Sequence, residues 1–135
     1  MDKPELQFSV ICDDIRREDN GKFIFMGLFE SIGSAVFPAT HPRLFIANRW
    51  CKWDGEFKEK TRIVFSETKE VIAESTEIDV KLKDFSTHHT VISQFNNIKF
   101  PEPGKYFVEI LLNNDLFRYY PINLALIQEK NNEPS

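Results

Sequence analysis

The chain has 135 residues, of which 41% are hydrophobic and 13 are phenylalanine, which suits one domain with its own core and excludes a disordered chain. Its 21 acidic and 17 basic residues give a formal charge of −4, which argues against nucleic-acid binding and against binding to an acidic membrane surface. The first residues lack the apolar stretch of a secretory signal, and no run reaches the roughly 20 apolar residues of a membrane-spanning helix, so we expect a cytoplasmic protein.

Short runs rich in apolar side chains, several of them alternating with polar ones, recur along the whole chain and indicate strands. In chain order they occupy residues 6–13, 22–32, 43–53, 60–66, 71–82, 88–100, 105–112 and 116–127. Turn signals rich in Asn, Asp, Gly and Pro separate several of them, at Asn20-Gly21, Asp54-Gly55, Pro101–Gly104 and Asn113–Asp115. Strands do not alternate with helices, so a doubly wound parallel sheet is not expected.

This pattern predicts one all-β domain over residues 1–127, followed by a polar tail over residues 128–135. About eight strands would form a two-sheet antiparallel β-sandwich of the immunoglobulin-like type, and a C2-like sandwich is the alternative. The charged strands between residues 56 and 82 are expected at a sheet edge, where charge discourages pairing with another chain. Pro121 predicts a bulge or an edge position, because proline removes a ladder donor.

The segment around Tyr106 is the most specific local pattern. In immunoglobulin-like sandwiches a tyrosine near the start of the penultimate strand returns its hydroxyl group to the backbone just upstream, which forms a tyrosine corner. Gly104, two residues earlier, favours this interpretation over an ordinary core tyrosine with an exposed hydroxyl group. Val108 occupies the position of a cysteine in antibody domains, so the disulfide-linked variant is excluded. Trp50 or Trp53 is predicted as the central core tryptophan.

A set of residues spread over the chain resembles one family. The earlier part of the set comprises Ile11-Cys12-Asp13-Asp14-Ile15-Arg16, Glu18, Asn20-Gly21-Lys22 and Gly27. The later part comprises Phe37-Pro38, Trp50 and Gly104-Lys105-Tyr106. On these residues the chain resembles a family of uncharacterised bacterial domains of unknown function. The resemblance implies a small β-sandwich and implies no activity.

Motifs of enzymes and cofactor sites are missing from the sequence: there is no G-x-S-x-G, C-x-x-C or H-E-x-x-H motif and no phosphate-binding glycine loop. Cys12 and Cys51 lie inside predicted strands, where we expect unreactive free thiols. His88 and His89 are adjacent and would point to opposite faces of a strand, so they would not bind a metal together. We therefore expect no cofactor, and an enzyme would require His88 or His89 beside a carboxylate in a pocket.

Acidic residues in the predicted turns suggest one further possibility. If the strands reverse at each turn, residues 14–21, 54–58, 81–87 and 113–115 lie at the same end of the sandwich. That end would carry the five binding candidates Asp14, Glu18, Asp54, Asp84 and Asp115. Clustered carboxylates bind calcium, as at the loop end of C2-type sandwiches, whereas solvated turn residues neutralised by nearby lysine and arginine are the alternative.

Aromatic residues are more numerous than one small core obviously requires. Phe107, Leu111, Phe117 and Tyr119 make the last two strands apolar on both faces. Such strands either fill the core or are covered by a partner, which would be another protein or a second copy of the chain. We therefore predict a non-enzymatic protein-binding or assembly module, with a calcium- or ligand-dependent binding domain as the alternative.

Overall fold

The computed structural model describes residues 3–128, most of which lie in ten strands. The strands are β1 (Glu5–Arg17), β2 (Phe23–Leu28), β3 (Ser31–Ser34), β4 (Ala39–Cys51), β5 (Gly55–Phe65), β6 (Val71–Glu74), β7 (Ile78–Leu82), β8 (His88–Phe100), β9 (Gly104–Leu112) and β10 (Asp115–Leu126). Within residues 3–128 there is no helix that could cross a membrane. The predicted polar tail, apart from its first residue, lies outside the described residues.

The strands form two sheets, so the all-β prediction is confirmed. The first sheet is antiparallel, with the order β2-β1-β4-β8. The second sheet has the order β3-β10-β9-β5-β6, and β7 pairs with the other half of the β5 edge. The prediction of antiparallel pairing throughout is wrong at one place, because β3 and β10 run parallel. Residues 22–32 are not one strand: β2 stays in the first sheet, and β3 enters the second sheet through a crossing instead of a hairpin.

The sheet edges follow the charge pattern in part. β6 and β7 lie at the edge of the second sheet, as expected for charged strands, whereas β5 lies inside it, next to β9. Pro121 pairs with Phe107 of β9 on one side. On the other side β10 pairs with β3 only over Asn123–Leu126, so β3 does not reach Pro121. The edge position predicted for Pro121 is therefore confirmed.

The core lies between the two sheets and forms two apolar clusters. The larger cluster includes Leu44 and Ile46 of the first sheet together with Ile63 and Val108 of the second. The smaller cluster surrounds Trp50, which is completely buried, so Trp50 is the predicted central tryptophan. Because both clusters contain residues of both sheets, the sheets pack face to face as a sandwich.

The tyrosine corner is present. The Tyr106 hydroxyl group donates a hydrogen bond to the carbonyl oxygen of Glu102 at 2.6 Å and accepts one from the Glu102 backbone N–H at 3.2 Å. The buried Tyr106 ring stacks on Phe65, with ring centroids 4.6 Å apart, and meets Phe100 edge to face. The prediction of a corner is confirmed, since the hydroxyl group is bonded to backbone just upstream.

Strand β1 pairs with two different strands along its length. Its first half pairs with β4 and its second half with β2, and Cys12 belongs to both ladders. In the β1–β2 ladder Phe25 lies opposite Ile15, which would be roughly 23 Å from Phe8 along a straight strand. The rings of Phe8 and Phe25 are nevertheless 5.7 Å apart. β1 therefore bends sharply, and the β1–β2 hairpin folds back over the outer face of the first sheet.

Candidate functional site

A row of three side chains across the first sheet forms the floor of a cleft. Phe8 of β1 lies opposite Arg49 of β4, and Arg49 lies opposite Thr90 of β8. The neighbouring Asn48 is buried in the core, so alternation along β4 directs Arg49 to the outer face of the sheet. Register therefore brings together residues that are distant in the sequence.

The hairpin tip covers this floor. Its turn is closed by two backbone hydrogen bonds, from Glu18 N–H to the Lys22 carbonyl and from Gly21 N–H to the Glu18 carbonyl, both 2.8 Å long. Gly21 has a φ of +88°, which glycine adopts without strain, so the predicted Asn20-Gly21 turn is confirmed. Asn20 accepts a further hydrogen bond from the Lys22 backbone N–H at 3.0 Å.

The space between floor and tip is the hairpin cleft, which has two lobes of about 340 Å³ each. The cationic lobe is lined by Arg17, Gly21, Phe23, Arg49, His88, His89 and Thr90. The aromatic lobe is lined by Phe8, Asn20, Gly21, Lys22, Phe23, Phe25 and Arg49. The two lobes share three lining residues, Gly21, Phe23 and Arg49, and therefore lie next to each other. Neither lining set contains a carboxylate.

Among the residues that the structure describes, the cations of the hairpin cleft lack acidic partners. None of the ion pairs formed within residues 3–128 includes Arg17, Lys22 or Arg49. The Nε atom of Arg49 is buried and has no hydrogen-bond partner among the described residues. The Arg17 guanidinium group lies over the Phe23 ring, 4.9 Å from its centroid. The geometry leaves guanidinium N–H groups available to an oxyanion, which they bind in a fork.

The nearest acidic side chain in the β1 ladder belongs to Glu5. Glu5 lies opposite Cys51, which lies opposite His88, two rows beyond the floor of the hairpin cleft. The Glu5 carboxylate is paired with Lys52 Nζ at 3.5 Å, and both side chains are solvent-exposed. This carboxylate is therefore already neutralised by a cation outside the cleft.

The five acidic candidates are not brought together as a calcium site. Asp14 lies within β1, 3.2 Å from Arg16 Nε and 4.0 Å from Arg43 Nη2, because β1 continues beyond its predicted end. Glu18 lies in the β1–β2 turn, Asp54 between β4 and β5, and Asp115 at the start of β10. Asp84 accepts hydrogen bonds from the backbone and hydroxyl groups of Ser86 at 2.8 and 2.6 Å.

Within residues 3–128 no group of three or more His, Cys, Asp and Glu side chains is arranged to hold a metal ion. The calcium-binding interpretation therefore has no support from the geometry. The enzyme hypothesis required a histidine beside a carboxylate, and His88 and His89 instead line a pocket together with arginines. Both thiols, Cys12 and Cys51, are buried and free.

The residues that define the hairpin cleft were missed by reasoning from the sequence. Arg16 and Arg17 form too short a basic run to predict a patch, and the adjacent His88 and His89 suggest only a base or metal ligands. Arg49 was the available signal, because an arginine between Ala47 and Trp50 in a largely buried strand needs a polar environment. Its partners across the sheet were not visible without the register.

The two packed sheets, the tyrosine corner and the hairpin cleft define an all-β domain. A family model described as a family of unknown function, DUF6941, matches residues 7–125. The chain belongs to this family, which confirms the resemblance seen in the sequence. No curated protein matches the chain.

Two solved structures resemble the chain weakly. One is the Pseudomonas fluorescens alkylpurine DNA glycosylase AlkC bound to DNA containing an abasic site analog, with 8% identity and a TM-score of 0.47 over 87% of this chain. The other is the beta-glucosidase from Listeria innocua in complex with isofagomine, with 9% identity and a TM-score of 0.47 over 90% of this chain. The chain spans 30% and 16% of their lengths. At this level the similarities support no inference about function.

Proposed function

We propose that this protein is a non-enzymatic binding module that recognises a negatively charged group in the hairpin cleft. The observation that carries the proposal is Arg49, whose buried Nε lacks an acceptor within residues 3–128. A buried donor without an acceptor is unfavourable by roughly 1–3 kcal/mol, and a shift of the Arg49 side chain toward an oxyanion in the cleft would supply the missing acceptor.

The surrounding charges support the same ligand class. Arg17, Lys22, His88 and His89 line the cleft around Arg49, and none of the described residues that line it is acidic. The whole chain nevertheless has a formal charge of −4, which disfavours an extended polyanion such as nucleic acid. The proposed ligand is therefore compact and carries one anionic group.

Calorimetric titration with inorganic phosphate and with sulfate tests the proposal. We expect saturable binding that Arg49→Gln weakens at least about tenfold, since it removes a charge-assisted hydrogen-bond donor. Arg43→Gln is the matched control, because Arg43 lies on the same strand and is absent from the lining of the cleft. Absence of saturable binding of both anions, or equal effects of the two substitutions, would refute the proposal.

Protein association is a second candidate function, supported by the outer face of the second sheet. Phe107 and Tyr119 meet edge to face there with ring centroids 5.2 Å apart, and Tyr119 is 59% exposed. Leu111 and Phe117, the other two residues of this prediction, are buried and half-buried. We propose a second copy of the chain, in the cytoplasm, as the partner. Light scattering tests this, and a monomer at all concentrations would contradict it.

We further propose that the sandwich is of the immunoglobulin-like type. The tyrosine corner at Tyr106 and the buried Trp50 support this assignment. The parallel β3–β10 pair is a departure from that arrangement, and the C2-like alternative has no comparable supporting contact.

A further inference from the structure

The two lobes of the hairpin cleft have different chemistry. The cationic lobe contains Arg17, His88 and His89, whereas the aromatic lobe contains Phe8 and Phe25. Because the lobes adjoin at Gly21, Phe23 and Arg49, a single small molecule that lies across these residues would contact both lobes. A ligand that fills both lobes needs an anionic end and an apolar end.

The aromatic lobe offers ring surfaces to such a ligand. Phe8 and Phe25 meet edge to face, and Phe25 lies parallel to Phe23 with ring centroids 6.4 Å apart. Phe8, Phe23 and Phe25 are all partly exposed rather than buried. The lobe volume of about 340 Å³ exceeds the roughly 150 Å³ of a protein cavity that binds benzene. An aromatic ring therefore fits beside these side chains.

The cationic lobe favours a phosphate over a carboxylate. Two guanidinium groups, from Arg17 and Arg49, line this lobe, and alternation along β8 directs His88 and Thr90 to the same face as Arg49. The Thr90 hydroxyl group adds a neutral donor. A phosphate monoester has three terminal oxygens and carries nearly two negative charges, so it uses more of these donors than a carboxylate does.

We infer that the ligand is a small organic phosphate monoester that carries an aromatic ring, with the phosphate in the cationic lobe and the ring against Phe8 and Phe25. This inference rests on the proposed function, because it assigns the ligand of the same cleft. Phenyl phosphate is the simplest probe of the class, inorganic phosphate lacks its ring, and benzoate replaces its phosphate with a carboxylate.

Calorimetric titration of the full chain with the three probes tests the inference. We expect phenyl phosphate to bind about tenfold more tightly than inorganic phosphate, and more tightly than benzoate, because burial of one ring adds apolar and aromatic contacts. Phe25→Leu should abolish most of the difference in affinity between phenyl phosphate and inorganic phosphate. Arg49→Gln should weaken the binding of both phosphates.

Phe107→Leu is the control for the loss of a partly buried ring elsewhere, because Phe107 also makes an edge-to-face contact but lies on the second sheet. Should Phe25→Leu fail to fold, amide chemical shifts of the unmodified protein provide an independent measurement. Phenyl phosphate should then shift the Phe8 and Thr90 amide signals, whereas inorganic phosphate should shift Thr90 alone.

The outcomes separate this inference from the proposed function. If inorganic phosphate binds and the ring adds nothing, or if benzoate binds as tightly as phenyl phosphate, the aryl phosphate assignment is overturned and the proposed function stands. If the advantage of the ring survives in Phe25→Leu, the ring does not occupy the aromatic lobe and the inference is overturned. If none of the probes binds, both proposals fail.

Discussion

Glu59 is a carboxyl group buried in the core with neutral partners. Its Oε2 accepts hydrogen bonds from Trp50 Nε1 at 2.9 Å and from Asn48 Nδ2 at 3.2 Å, and its Oε1 lies 3.5 Å from the Thr61 hydroxyl group. Burial raises the pKa of Glu59, and the three hydrogen bonds oppose the shift without reversing it. Glu59 and its partners lie on β4 and β5, and the other buried side chains of these strands belong mainly to the two apolar clusters.

The raised pKa of Glu59 gives folding a defined dependence on pH. The folded state holds the Glu59 proton more tightly than the unfolded chain does. The resulting contribution to the free energy of unfolding is fully present below the unfolded pKa of about 4.3, and it is lost as pH rises through the pKa of the folded state. Glu59→Gln has no charge to bury, so its stability relative to the wild type should rise by roughly 1–3 kcal/mol between pH 3.5 and pH 7. Urea unfolding at several pH values measures this, and a difference independent of pH would contradict it.

The corner hydroxyl group of Tyr106 is the second residue with a defined energetic role. Tyr106→Phe removes its two hydrogen bonds to Glu102 and should lower the free energy of unfolding by about 1–2 kcal/mol. Tyr119→Phe, at an exposed tyrosine, should change it by less than about 0.5 kcal/mol. Equal effects in denaturant unfolding would mean that the corner contributes no specific stability.

At the level of elements, the bend of β1 determines where the hairpin lies, and Gly27 is central to that arrangement. Gly27 has a φ of +71°, and a Cβ atom at this position would collide with the Asp13 carboxylate on the facing strand. Gly21, in the turn, has a similarly positive φ of +88° but open space around it. Both glycines therefore adopt a positive φ, but only Gly27 also lies too close to a neighbouring side chain to accept a Cβ atom.

Alanine substitutions should separate these two effects. Gly21→Ala should destabilise the fold by about 1 kcal/mol, through the unfavourable φ alone. Gly27→Ala should destabilise it by about 2 kcal/mol or more, because Asp13 must also move. Denaturant unfolding of the two variants decides the matter, and a Gly21→Ala effect as large as that of Gly27→Ala would show that crowding is unimportant.

Much of the strand pattern was predictable from the sequence, because alternation and turn residues are local signals. Residues 88–100 match β8 at both ends, and Asn113 and Asn114 adopt the positive φ values of a tight turn. The extension of β1 to Arg17 was not predictable, since its charged residues look like a loop until β2 pairs with them. The parallel pairing of β3 depends on a crossing between sheets, which leaves no local pattern.

For the whole molecule, the candidate site was harder to predict from the sequence than the fold was. The acidic candidates were grouped by assuming that each turn reverses the chain, and the extra strand β3 and the long β1 break that assumption. The hairpin cleft instead combines Arg49 and His88, which the pairing of β4 with β8 brings together, with Arg17, which reaches them because β1 bends. A basic site in an acidic chain of charge −4 is invisible to composition, because net charge averages over the surface.

The double pairing of β1 makes Cys12 a chemical reporter of the hairpin. Cys12 is the residue common to both ladders, it is completely buried, and burial raises the pKa of its thiol. A thiol reagent can therefore reach it only when the hairpin lifts from the sheet or the domain unfolds. An occupied cleft would hold the hairpin against the sheet, so phenyl phosphate should lower the rate of Cys12 labelling more than it lowers the rate of global unfolding. The labelling rate, followed by mass spectrometry, would reveal how often the hairpin opens.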